Sequence, residues 1–141
     1  MSTVNLQLPW PPSVNTYWRH ISLRGKARVL VSKAGREYRV AVQRAVLAAR
    51  GVAQMAGDVR VSIVAYPPDR RARDVDNLLK AVLDGMQAAG VYLNDTQICT
   101  LSITKSRTIH PGGMLAVSVA ALEDRDVGPV EWRTAMREDA A

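Results

Sequence analysis

The sequence predicts a single-domain α/β (α+β) fold in which a mixed β-sheet is packed with helices. Three observations lead there. The chain has 141 residues, enough to bury one core and too few for two. Its patterned segments follow the order β, α, β, α, β, β, which suits a sheet covered by helices. The last two β-rich runs are joined by His110-Pro-Gly-Gly, whose glycines suit a hairpin turn and so argue against an all-parallel sheet.

Alternation in Val4-Asn5-Leu6-Gln7-Leu8 marks a first strand, ended by Pro9, Pro11 and Pro12 because proline cannot donate to a ladder. An extended, proline-stiffened segment is expected after it. Residues 19–33 mix five bases and a glycine with a short apolar run, and read as a basic loop or hairpin. Ser32 then caps a helix running to about Arg50, with Tyr38, Val42, Ala45, Val46 and Ala49 on its packed face and Arg36, Arg39 and Arg44 toward solvent. Residues 58–66, rich in β-branched side chains and stopped by Pro67-Pro68, form a second strand. Past a polar loop, Asp76 is placed to cap a second helix that Gly90 stops, with Leu78, Leu79, Val82, Leu83 and Met86 as its buried stripe. Residues 98–108 and 114–122 are the remaining strands. The lone cysteine, Cys99, lies in an apolar run and is expected to be a small buried thiol.

Charge narrows the partners. The net charge is +6, but residues 1–122 hold 16 bases against seven acids, a net +9, while six acids lie from Glu123 onward. A cationic body attracts polyanions and supplies the sequence-independent part of nucleic-acid binding, although solubility alone also accounts for a basic surface. No apolar run approaches the roughly 20 residues of a membrane span, and residues 1–13 lack the pattern of a secretory signal. A lone thiol forms no internal disulfide, so a cytoplasmic protein without a membrane partner is expected. The domain is placed at residues 1–122. Residues 123–141 form an acidic tail or a terminal helix over Val130 to Arg137.

Five of the seven acids of the basic body fall between Asp69 and Asp95. If the turns before and after the second helix approached each other, Asp74 and Asp76 would meet Asp95. A helix of that length is about 20 Å long, so the chain after Gly90 would have to double back. Carboxylates about 5 Å apart repel by roughly 3 kcal/mol at an effective dielectric of 20, and a divalent cation removes that penalty. Aspartates without histidine or thiol are hard ligands that suit Mg²⁺ or Mn²⁺, whereas His20 and His110 offer no zinc spacing. Lys80, four residues after Asp76, either forms an ordinary i,i+4 pair or stabilises charge on a reacting phosphate. Spacing alone leaves the metal site and a capped helix with solvated acids both open. Arg70, Arg71 and Arg73 either balance these acids or hold phosphates, as Arg19 and Arg36 would elsewhere. Asn77 is placed to hydrogen-bond a ligand, and Asp84 to be solvated or paired with Lys80.

Two blocks, LPWPPSVNTYWRH at residues 8–20 and PDRRARDVDNLLKAVLDGMQAAGVYLNDTQI at residues 68–98, resemble the RusA family of Holliday junction resolvases. The resemblance covers residues 4–122. It implies a D-x-D-N-x-x-K motif and a D-[DS]-x-Q-type turn about twenty residues later, with Asp74, Asp76 and Asp95 as Mg²⁺ ligands and Lys80 beside them. It also implies a homodimer that nicks opposing strands of a four-way DNA junction symmetrically. One departure is Asn94, where relatives often carry an acid. Two rivals remain: a non-catalytic DNA-binding protein, and a metal-dependent nuclease for flaps, forks or RNA.

Overall fold

The computed structural model describes residues 3–49 and 54–123. The tail and the terminal helix expected beyond Glu123 lie outside the described residues, as does Arg50. In chain order the elements are β1 (Thr3–Leu8), α1 (Val14–Tyr17), β2 (Trp18–Leu23), β3 (Lys26–Val31), α2 (Lys33–Ala48), β4 (Val59–Tyr66), α3 (Asp76–Ala88), a 3₁₀ turn (Asp95–Gln97), β5 (Ile98–Lys105) and β6 (Met114–Ala121). The fold is α+β, with a four-stranded mixed sheet and a separate two-stranded hairpin.

Local chemistry accounts for most boundaries. Ser32 caps α2 by accepting from the Gly35 N–H at 3.0 Å. Gly90, at φ +81°, follows α3 in the left-handed region where glycine bears no Cβ penalty. The basic segment is a hairpin, β2 against β3, turned by Arg24 and Gly25 at φ 52° and 74°. Both central residues at positive φ make a two-residue turn whose twist matches its strands. The segment after Pro12 is not extended throughout. Ser13 accepts from Thr16 N–H at 3.4 Å and starts α1, a single turn too short to show helical periodicity.

Sheet order is β1-β6-β4-β5, with β4 and β5 parallel and the other neighbours antiparallel. The expected hairpin between the last two strands is therefore corrected: β4 lies between β5 and β6. Parallel neighbours need a crossover connection, and α3 lies on the one from β4 to β5. The glycines of the His110–Gly113 turn serve a different purpose from a two-residue hairpin. A Cβ at Gly113 would come within 2.7 Å of the Trp10 Cβ, so the turn closes against the β1 exit.

Alternate residues of the three packed strands face the helices: Leu6 and Leu8, Val59, Val61, Ile63 and Ala65, then Leu115, Val117 and Val119. Tyr38, Val42 and Val46 of α2 and Leu78, Ala81, Val82 and Met86 of α3 complete the core. Each fully buried aliphatic side chain of this kind contributes about 1.5–3 kcal/mol. On the other face Asn5, Gln7, Ser62, Val64, Ala116 and Ser118 line a shallow hollow of about 480 Å³. β5 is an edge strand with little burial on either side, so Cys99 is exposed and not the core thiol its apolar neighbours suggested.

Candidate active site

Helix α3 begins without a side-chain cap. Val75 occupies the cap position in helical conformation, and Asp76 is already the first helical residue. Asn77 N–H donates to Asp74 O and Leu78 N–H to Val75 O, both at 3.2 Å, so the chain winds before Asp76 is reached. Asp76 therefore does not cap the helix as expected; its exposed carboxylate is left at the positive end of the helix dipole. Asp74, also exposed, shares a pocket of about 490 Å³ with Trp10, Ser13, Asn15, Arg73 and Asn77. Carboxylate, amide and hydroxyl oxygens without thiol or imidazole make a hard donor set that fits Mg²⁺ or Mn²⁺.

Asp95 sits at the opposite end. Asn94 caps the 3₁₀ turn by accepting from Thr96 N–H at 2.9 Å, so asparagine performs the capping an acid would. The Gln97 Oε1 accepts from the N–H groups of Leu93 and Asn94, while its Nε2 donates to Met55 O at 2.9 Å and Gly57 O at 2.7 Å. Asp95 N–H donates to Gln87 Oε1 at 3.0 Å. Gln87 comes eleven residues after Asp76, about 16 Å along the helix axis. The chain does turn back after Gly90, but only far enough for the Tyr92 hydroxyl to donate to Leu83 O at 2.6 Å. Among the described residues no three His, Cys, Asp or Glu side chains gather at metal-binding distance. One chain thus carries Asp74 and Asp76 at one end of α3 and Asp95 at the other.

Lys80 pairs with Asp84, not with Asp76. Its Nζ lies 3.2 Å from Asp84 Oδ1 and 5.6 Å from the centre of the Trp18 ring. Asp84 is not solvated: its side chain is 14% exposed and accepts from the Tyr17 hydroxyl at 3.0 Å. Arg39, expected to face solvent, instead donates through Nε and Nη2 to Tyr17 Oη at 3.1 and 2.8 Å. Burial raises the Tyr17 phenol above its ordinary value; hydrogen bonding by Arg39 opposes this, and Asp84 adds to it.

The arginine run divides. Arg70 and Arg71 are exposed. Arg73 donates through Nη1 and Nη2 to the two Asp69 oxygens at 2.6 and 3.1 Å, and its guanidinium lies 5.5 Å from the Trp10 ring centre. The Lys105 ammonium donates to Arg73 O at 2.7 Å, tying this loop to β5. Arg73 is thus held within the chain more closely than Arg71, whose Nε lies 3.9 Å from Asp69 Oδ2. Arg36 is exposed, with its Nη1 on Val31 O at 2.8 Å. Arg19 stands on the hairpin opposite Leu30, beside the pairs Ile21–Arg28 and Leu23–Lys26. Directly paired antiparallel residues share a face, so Arg19, Lys26 and Arg28 form one basic face.

Sequence reasoning singled out neither Lys26 and Arg28 nor Asn15 and Trp10. Alternation along the hairpin could have found the first two. The second two lie in the block at residues 8–20, where spacing alone does not reveal a pocket wall.

The family model for endodeoxyribonuclease RusA matches residues 9–118. The crossover junction endodeoxyribonuclease RusA of Escherichia coli is 37% identical over 122 residues, which is 86% of this chain and 98% of that protein. Proteins of the same name from Shigella sonnei and Enterobacteria phage 82 are 36% and 35% identical, with the same coverage. Among solved structures, a 2C-methyl-D-erythritol 2,4-cyclodiphosphate synthase from Plasmodium vivax aligns over 86% of this chain and 95% of its own, at 9% identity and a TM-score of 0.32; so distant a likeness bears on neither fold nor chemistry. The family match spans the Asp74 pocket, the whole of α3 and the Asp95 turn, and the chain belongs to the RusA family of endodeoxyribonucleases.

Proposed function

We propose that this chain is a structure-selective endonuclease that resolves four-way DNA junctions by paired symmetric nicks. It acts as a homodimer in recombination and repair, with Mg²⁺ as cofactor and Mn²⁺ as substitute. The observation that carries this reading is the open end of α3, where Asp74 lines a pocket with Ser13, Asn15 and Asn77 and the exposed Asp76 begins the helix, in a body of net charge +9. The junction substrate is that of the crossover junction endodeoxyribonucleases to which this chain is similar.

Asp74, Asp76 and Asp95 would hold the cation. Because Asp95 stands at the far end of α3 in its own chain, the third carboxylate must come from a second copy: the partner's Asp95 beside Asp74 and Asp76. A two-fold dimer arranged this way has two equivalent sites, as paired nicks require. When bound, the ion supplies Lewis acidity toward water and the scissile phosphate. The chain's own residues do the rest. Lys80 offsets negative charge that builds on the phosphate as the bond breaks. Asn77 orients the Asp74 side of the pocket. Arg70, Arg71, Arg36 and the Arg19 face of the hairpin bind flanking phosphates, which position the DNA without reading its sequence. Residues 1–122 form the working domain.

The test is to incubate the purified protein with a labelled four-way junction, a flap and a plain duplex, with Mg²⁺, with Mn²⁺ and with a chelator. Paired nicks at the junction, present only with metal, are expected. Junction binding without cutting under every metal condition would make this a non-catalytic DNA-binding protein. Faster cutting of the flap would move the substrate while leaving the residues in place.

A further inference from the structure

Asp84 is a carboxylate in the middle of α3 whose side chain is largely withdrawn from water, and the nucleolytic reading gives it no task. Its partners come from three elements. Lys80 reaches it from the preceding turn of α3 at 3.2 Å, the Tyr17 hydroxyl from α1 at 3.0 Å, and Arg39 Nη2 from α2 at 3.8 Å. Tyr17 is fully buried and is itself held: Ser32 N–H donates to its carbonyl at 2.8 Å. A Cβ at Gly35 would come within 3.0 Å of that same carbonyl oxygen, so α2 is packed directly against it. Trp18 stands edge-on to Tyr17, ring centres 5.0 Å apart, and presents its own ring to Lys80.

We propose that Asp84 is a positioning residue: with Tyr17 and Arg39 fixing one of its oxygens, the other holds the Lys80 ammonium against Trp18, aimed at the scissile phosphate. This rests on the reading of Lys80 as the group that meets that phosphate. A lysine has four rotatable side-chain bonds, and placing its charge costs rotamer freedom. The Asp84 network meets that cost on folding, before substrate arrives. A cluster of partly withdrawn charges is poorly explained by stability, because apolar side chains of similar volume generally stabilise as well or better.

Single-turnover cleavage of a four-way junction and equilibrium junction binding, measured on the full-length protein, test the proposal. The variants are Asp84→Asn, Asp84→Glu, Tyr17→Phe, Lys80→Ala and the Asp84→Asn/Lys80→Ala double. Asp84→Asn is expected to slow cleavage by about 10- to 100-fold, as loss of a supporting partner typically does, with binding changed by less than about two-fold. Tyr17→Phe keeps the ring in the core and removes only the hydroxyl, so it slows cleavage in the same sense by less and serves if the Asp84 variants do not fold. Asp84→Glu should recover part of the rate. The double variant should be no slower than Lys80→Ala alone, because Asp84 acts only through Lys80. The proposal is overturned if Asp84→Asn and Tyr17→Phe cut at the parental rate, if the losses multiply in the double variant, or if binding and rate fall together. A parental rate in Lys80→Ala itself sinks the underlying reading of the lysine, and is distinguished from these outcomes by that single variant.

Discussion

The two ends of α3 are built on opposite plans. At its start no side chain caps the helix, Asp74 and Asp76 are exposed, and the adjoining wall is an open pocket. Beyond its end both amide atoms of the Gln97 side chain are engaged, Asn94 caps the next turn, and Gln87 holds the Asp95 backbone. A carboxylate set by its backbone suits presentation to another molecule, whereas exposed carboxylates at the rim of an open pocket suit reception. The difference explains why one chain contains all three acids and gathers only two of them at one end. On the two-chain reading it also ties assembly to chemistry, since each site would then draw its third carboxylate from a second copy.

The harshest way to break this comparison is to remove each acid in turn. Asp74→Asn, Asp76→Asn and Asp95→Asn are each expected to lower junction cleavage by about 10²- to 10³-fold or more. Junction binding should survive or tighten, because each change removes negative charge from the DNA-facing surface. A variant that cuts near the parental rate takes its residue out of the ligand set.

A mixing experiment then separates a shared site from one closed within a chain. Asp76→Asn and Asp95→Asn homodimers should each be inactive. In a heterodimer of the two, one site carries both changes and the other carries neither. Subunit exchange should therefore restore cutting, as single nicks on one strand rather than paired nicks. If each site belonged to one chain, both protomers would be dead and the mixture inert, which would end the two-chain reading.

Much of this contrast was legible in the sequence, and the failures have physical causes. Helices α2 and α3 were visible because their apolar residues recur at helical spacing over three or more turns, while α1 is a single turn with no period to detect. Glycines mark where the chain bends, but not which strands pair, so the Gly112-Gly113 turn passed for a hairpin when it closes against Trp10. Cys99 misled because an apolar run implies burial only where the strand has layers on its faces. The helical wheel set Arg39 and Asp84 off the packed stripes of their own helices and so turned Arg39 toward solvent, where the structure engages both. It could not place Tyr17, which comes from another element and turns both residues inward. The spacing also left open whether the chain after Gly90 doubles back far enough to bring Asp95 to Asp74; the helix between them is about 20 Å long, and Gln87, near its end, holds the Asp95 N–H there.

A gentler test divides the arginines that lead into α3. If exposed Arg70 and Arg71 each neutralise a phosphate, the slope of log affinity against log salt should flatten by about 0.9 for each one changed to alanine on duplex arms. Arg73→Ala should leave the slope nearly unchanged, because its guanidinium is committed to Asp69. Equal flattening by all three would return Arg73 to the binding surface. A loss confined to junctions would mean that the arginines sense branched shape.

The smallest effect sharpens the same division at a single carboxyl group. The Arg73 side chain, followed by the Arg71 backbone N–H, holds the Asp69 carboxyl down at about 2. A group depressed on folding contributes stability that is full above its unfolded value, near about 4, and is lost as pH falls through the folded value. The contribution should therefore be constant at neutral pH and fade between about pH 4 and pH 2. Asp69 is partly open to solvent, so the change in overall stability is small, and the residue's own titration is the better readout. Carboxyl-detected NMR should show Asp69 titrating near 2 in the parent and moving back toward the ordinary carboxylate range in Arg73→Ala. The return should be partial, because the Arg71 N–H remains in place at 2.9 Å. An unmoved titration would release Arg73 from Asp69 and leave it free to bind phosphate with Arg70 and Arg71.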